Sequence, residues 1–310
     1  MRRFIGLLAL LLFLPLSDCS HYRPLRPGEH FADVNGVRLS YVVQGKGPVL
    51  VVQAPGWGLG SAYLRNGLEP LTDNFTMVFY DTRGSGRSTR PADESRMSTS
   101  QMVEDLEQLR RHWDLQSIRL LGHSQGGSIA LEYAIRYADR VSKLVLVDTS
   151  VEPWSEFQDE IKKNVDSRRG DPRFASAISE MGRDTPWTTD EEFRAGLDRL
   201  APLYFYDPEQ YVPRFAKTRS RSQSLWVWRT FNAAEEKTPL NEVARLGGVK
   251  AAALVITGRQ DFCCGPAVAE KIRSGIPHSK LIVFDQCGHL PWIEASTGFF
   301  REVNQFLGTN

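Results

Sequence analysis

The stretch "LLGHSQGGSIALEYA", Leu120 to Ala134, decides how the rest of the chain is read. An apolar run leads into it and a helix-like pattern leaves it. Between them stands one hydroxyl, Ser124, flanked by His123 and Gln125, with Gly122 before and Gly126 and Gly127 after. A strand, a glycine-lined corner and a helix in that order match G-x-S-x-G in the context that gives the motif meaning. A serine pushed clear of a sheet needs a strained backbone turn, and the strand and helix beside it come too close for side chains at 122 and 126. The start of the following helix adds positive dipole next to Ser124. Ser124 is the candidate nucleophile.

A serine hydroxyl needs a base, and the base needs a carboxylate to fix its tautomer. In a fold of this type the chain order is Ser, then Asp or Glu, then His. Only His278 and His289 follow Ser124. His278 precedes a strand and reads as a surface turn residue. His289 follows the last apolar strand at its carboxyl end, where open α/β sheets meet ligands, and is the expected base. Asp261, in "GRQDFCCGP" after the strand "ALVITG", is the expected acid, with Asp148 and Asp285 as rivals. An oxyanion requires backbone N–H donors. Gln125, the residue after the nucleophile, supplies one. Gly56 or Trp57, in the "APGWGLG" loop, supplies the other, and Trp57 is also a candidate pocket wall.

Working outward, apolar runs alternate with helical patterns. "FADVNGVRLSYVVQG" reads as a hairpin turning at Asn35-Gly36. "PVLVVQAP", "FTMVFYD", "SIRLLGH", "VSKLVLVD", "AAALVITG" and "KLIVFD" read as buried strands. Helices are expected over 61–71, 97–115, 266–273 and 294–307. The second has Met102, Leu106, Leu109 and Trp113 at helical spacing and Ser98 or Ser100 as its cap. Residues 151–248 break the rhythm with charge, proline and aromatics, and read as an all-helical cap inserted in an α/β core of 29–150 and 249–310. The aromatic content suggests a medium-sized apolar substrate.

The gross numbers agree with a soluble enzyme-sized domain. Hydrophobic residues make up 41% of the 310 and charged ones 24%. Lys plus Arg number 38 against 37 Asp plus Glu, a net charge of +1 that gives no sign of a nucleic-acid partner. Residues 1–19 carry two arginines, an apolar run from Phe4 to Leu14 and a polar end, the layout of a secretory signal peptide. Secretion is therefore expected, with a membrane anchor as the alternative, although the run is short for a span. Cys19, Cys263, Cys264 and Cys287 are the cysteines. No ligand cluster is visible, so neither a metal nor an organic cofactor is expected.

Taken together, "GHSQGG", "YDTRGSGRS" at 80–88, the Asp261 loop and "GHLPWIE" at 288–294 resemble the α/β-hydrolase superfamily, and within it the proline iminopeptidase-like hydrolases. The resemblance spans roughly 29–307. It implies a mostly parallel eight-stranded sheet with an inserted helical cap, supports Ser124, Asp261 and His289 as a triad, and makes Asp81 and Arg83 structural. If the two late loops are neighbours, Cys263 or Cys264 can pair with Cys287. The chain departs from the subfamily: Ala54-Pro55-Gly56-Trp57-Gly58 stands where HGGPG is usual, and GHSQG where GGSWG is usual. Acidic cap residues hold the substrate amine in that subfamily; Glu156, Glu191, Glu209 and Glu235 are candidates here. Three readings follow: a serine hydrolase acting on an ester, lactone or amide; an aminopeptidase; and a ligand-binding protein on the same fold.

Overall fold

The computed structural model describes residues 25–219 and 222–308, so the expected leader at 1–19 lies outside the described residues. Eight strands form one sheet: β1 Gly28–Val34, β2 Val37–Gly45, β3 Val49–Gln53, β4 Thr76–Tyr80, β5 Ile118–His123, β6 Val141–Val147, β7 Ala252–Gly258 and β8 Ser279–Phe284. Their spatial order is β1-β2-β4-β3-β5-β6-β7-β8. β1 pairs antiparallel with β2, and β2 with β4; the other pairs are parallel. The β1–β2 hairpin turns at Asn35 (φ 46°) and Gly36 (φ 78°), the left-handed pair that a two-residue turn requires.

The continuous apolar strands are buried because both faces of the sheet are covered. Helix α2, Thr99–His112, and helix α3, Gln125–Arg136, cover one face, with Met102, Leu106, Leu109 and Trp113 in that core. Ser98 caps α2 by accepting from Gln101 N at 3.3 Å. The other face is covered by α1, Ala62–Gly67, and the C-terminal helix, Ser296–Gly308. The single helix expected over 61–71 is broken: α1 stops at Gly67, and a 3-10 turn, Glu69–Asp73, follows with Pro70 at its start. Proline has no N–H to continue α1. Gly67 also lies against the Trp292 indole, where an added Cβ would come within 2.4 Å of Nε1.

Between β6 and β7 the described chain is helical: α4 Gln158–Asp166, α5 Ala175–Met181, α6 Asp190–Leu200, α7 Pro208–Thr218 and α8 Leu225–Lys237. Much of its aromatic content packs on itself, with the Trp187, Phe193 and Trp228 rings 5.1–5.9 Å apart. It meets the loop after β8: the Tyr204 carbonyl accepts His289 N–H at 2.7 Å. The "YDTRGSGRS" loop is knitted as expected. Asp81 accepts Ser61 N–H at 2.7 Å, Ser61 O–H at 2.8 Å and Arg87 N–H at 3.0 Å. Arg83 is fully buried and forms a two-pronged pair with Asp105 at 2.6 and 2.7 Å. No helix among the described residues is long and apolar enough to cross a membrane.

Candidate active site

The order of the strands sets the location. The chain runs from β3 outward to β4, then returns across β3 to β5, so the strand order reverses between β3 and β5. In open α/β sheets such a reversal leaves a crevice at the carboxyl ends of the strands. The loop after β3 carries Gly56 and Trp57, Ser124 directly follows β5, and the loops after β7 and β8 bring Asp261 and His289.

Ser124 holds φ 56° and ψ −128°, a conformation that costs a non-glycine residue roughly 1–3 kcal/mol. Neighbours hold it there: its N–H donates to Val147 O at 3.0 Å, and its carbonyl accepts from Ser150 N at 3.2 Å. An added Cβ at Gly122 would sit 2.6 Å from Gly126 O, and one at Gly126 would sit 2.5 Å from Gln53 O. The close approach of strand and helix is thus the reason for glycine at both positions.

His289 is buried, and its Nδ1 lies 2.7 Å from Asp261 Oδ2, while Ser124 and His289 line one cavity. Burial opposes charge on both groups of this pair, but their mutual attraction and hydrogen bond prevail. Asp261 is lowered to about 2, and His289 is raised well above 6.5. Of the rival carboxylates, Asp148 accepts Gly258 N–H at 2.9 Å and Thr257 O–H at 3.0 Å, and burial followed by the Asp261 charge pushes it well above the carboxylate range. Asp285 is an exposed partner of Arg259. His278 is exposed, and its carbonyl accepts Ala253 N–H at 2.8 Å.

Gln125 and the "APGWGLG" loop are joined directly: the Gly56 N–H donates to Gln125 Oε1. That bond takes up the Gly56 donor in this state. Trp57 is partly exposed and lines both of the cavities that meet at Ser124. The smaller, about 90 Å³, is apolar, with Leu59, Tyr63, Leu197 and Phe215 in its wall. The larger, about 460 Å³, is bordered by Glu152, Asn232, Glu235 and Cys263. Of the four acidic candidates, only Glu235 reaches a cavity shared with Ser124. Burial raises its carboxyl, and its Oε1 accepts Thr99 N–H at 2.7 Å. Glu156, Glu191 and Glu209 are exposed.

The cysteines decide an alternative that the sequence left open. Cys263, Cys264 and Cys287 are free thiols, so neither disulfide to Cys287 is formed. The reason is local: Cys287 Sγ turns to the Gly288 carbonyl at 3.5 Å, whereas Cys263 Sγ turns to Asp261 Oδ1 at 3.4 Å.

A sequence-family model described as alpha/beta hydrolase fold matches residues 49–296, a range that contains all of these loops. The chain belongs to the alpha/beta hydrolase fold family. This hydrolase is 25% identical over 292 residues to a proline iminopeptidase of Heyndrickxia coagulans, covering 91% of this chain and 99% of that protein. It is 24% identical to a proline iminopeptidase of Thermoplasma volcanium, covering 90% and 96%. Among solved structures, an alpha/beta fold family hydrolase from Bacillus anthracis superposes with a TM-score of 0.73 at 22% identity, over 90% of this chain and 99% of that one. An esterase from Exiguobacterium antarcticum gives 0.69 at 20%, over 92% and 100%.

Sequence reasoning missed two side chains in this hydrolase. His123 is buried between the Tyr63 hydroxyl, 2.9 Å from Nδ1, and the His289 carbonyl, 2.9 Å from Nε2. Burial, followed by the His289 charge, drives its pKa well below 6.5, so the ring is neutral and ties the elbow to the His289 loop. In the sequence His123 shows only as the variable x of G-x-S-x-G, upstream of where the base of such a site stands. Glu294 accepts Gly288 N–H at 2.6 Å and Tyr206 N–H at 2.8 Å, tying the same loop to the insertion. Burial lifts its carboxyl to about 7. Its only sequence signal was its place at the end of "GHLPWIE".

Proposed function

We propose that this hydrolase is a serine hydrolase that cleaves an ester, lactone or amide through an acyl-enzyme. The observation that carries the reading is the buried His289–Asp261 pair, 2.7 Å apart, whose imidazole lines the same cavity as the strained Ser124. Ser124 Oγ attacks the carbonyl carbon while His289 Nε2 takes its proton. Asp261 keeps Nδ1 protonated and stabilises the imidazolium. The backbone N–H groups of Gln125 and Trp57 hold the tetrahedral oxyanion, and Gly56 braces the Trp57 loop against Gln125. Collapse expels the leaving group, which takes the proton from His289. Water then repeats the sequence and releases the acid.

The helical insertion, residues 151–248, acts as the cap over this chemistry, with the small apolar cavity taking one end of the substrate. A fluorophosphonate probe tests the proposal: it labels the wild type and leaves Ser124→Ala unlabelled. An unlabelled wild type would favour the ligand-binding reading of the fold.

A second reading rests on Glu235 and Glu152 in the larger cavity. Two carboxylates beside the nucleophile suit a substrate with a free amine, as in a proline iminopeptidase-type aminopeptidase. Turnover of a prolyl anilide, in preference to aryl esters and lactones, selects it; turnover of esters or lactones alone rejects it. Export of the protein rests on the leader at 1–19 and is tested by the N-terminal sequence of the mature chain.

A further inference from the structure

Four side chains from two loops converge around the His289 imidazole. Asp261, Cys263, Cys264 and His289 each present a ligand atom, and these atoms lie within 4.8 Å of one another. Cys263 Sγ is 3.4 Å from Asp261 Oδ1 and 3.8 Å from His289 Nδ1. Tetrahedral Zn²⁺, with bonds of about 2.3 Å to sulfur and 2.0–2.1 Å to nitrogen or oxygen, sets neighbouring donors roughly 3.3–3.8 Å apart. The Cys263 thiol already stands at that spacing from both partners. The imidazole and carboxylate, at 2.7 Å, would have to open by roughly half an ångström, and the wider spacings in the cluster, up to 4.8 Å, would have to close. Two thiolates, an imidazole and a carboxylate form a donor set for a soft or borderline cation, not for Mg²⁺ or Ca²⁺. Cys263 and Cys264 border the larger cavity, which gives an ion a way in.

We propose that Asp261, Cys263, Cys264 and His289 form a binding site for a thiophilic divalent cation of the Zn²⁺ type, and that its occupation switches the hydrolase off. Binding releases one proton from each thiol. On His289 the ion takes the Nδ1 position, so a neutral ring carries its proton on Nε2. That nitrogen then has no lone pair with which to accept the Ser124 proton, and Asp261 no longer orients the ring. The switching part rests on the serine-hydrolase reading above; the binding part does not. In the sequence the donors are invisible as a set because His289 lies 28 residues beyond Asp261.

The test uses the full chain with its thiols reduced and its metal stripped. Equilibrium dialysis should give one Zn²⁺ per chain, and Co²⁺ in its place should show a thiolate-to-metal charge-transfer band. Cys263→Ser should weaken Zn²⁺ binding by about 10–100-fold or more, since loss of even an outer-shell partner costs that much. Cys264→Ala provides a second variant should the first misfold. Cys287→Ser and Ser124→Ala should bind as the wild type does. Aryl-ester turnover should fall with the same Zn²⁺ dependence and return on chelation. Absence of the charge-transfer band, or Zn²⁺ binding unchanged in both thiol variants that touch the cluster, would overturn the site. Full turnover at saturating Zn²⁺ would overturn the switch. Absence of turnover in the metal-free protein would break the hydrolase reading and the switch with it, while the dialysis result would still decide the site.

Discussion

The Ser124 side and the His289 side of this cavity are built in opposite ways. The elbow is local: strand, Ser124, glycines and helix occupy one continuous stretch, and its geometry is enforced by backbone packed on backbone, with Gly126 against Gln53 O. The imidazole side is assembled from two distant loops and held by charge and hydrogen bonds. Asp261 grips Nδ1, Tyr204 O accepts the His289 N–H, His123 donates to the His289 carbonyl, and Glu294 accepts from Gly288. A packed backbone is indifferent to pH, whereas a network of titratable groups responds to it. The site thus joins a rigid half to a responsive half.

Removing the rigid half's hydroxyl should have the largest effect. Ser124→Ala is expected to lower kcat by about 10⁶-fold with KM little changed, read by steady-state hydrolysis of an aryl ester. Asp261→Asn should come next, at roughly 10⁴-fold in kcat, because asparagine donates to the ring where the carboxylate accepted and so selects the wrong tautomer. The contrast sharpens in Gly126→Ala. Its cost should fall on folding, about 1–3 kcal/mol, because the new Cβ meets backbone that has no soft direction to move. A thermal melt should show that loss, roughly 2–4 °C per kcal/mol for a domain of somewhat smaller size.

The responsive half should show in the pH profile. The Asp261 charge lifts His289 above 6.5 against the opposing effect of burial. A protonated ring cannot take the Ser124 proton, so kcat/KM should rise with pH and pass half-height above 6.5. An acid limb centred below that value would break the comparison. The smallest effect belongs to Glu235→Gln: about tenfold or less in KM, the ~1.4 kcal/mol equivalent of a weakened ion pair, for substrates with a free amine, and none for neutral esters.

How much could be seen beforehand varies element by element. The strands from 49–53 to 279–284 were legible because a doubly covered parallel strand is a short unbroken apolar run. Ser124 was legible because its glycines are a local steric necessity. The break at Pro70 is masked in the sequence by the helical pattern over 61–71, which continues on both sides of it. Glu235 could not be separated from Glu156, Glu191 and Glu209, since a carboxylate on a helix looks the same whether it faces water or a cavity. The three thiols could not be sorted, because which way each Sγ points depends on loop packing.

The sequence by itself determined the alternation of strands and helices, the elbow and the residues able to serve as base and acid, because those depend on steric and hydrophobic patterns within a few residues. Only the tertiary structure decided that Asp261, not Asp148, holds His289, that Gly56 gives its N–H to Gln125, and that two thiols stand beside the imidazole. Those facts are distances of a few ångströms between segments far apart in the chain, and they are set by how the loops pack at the rim of the sheet.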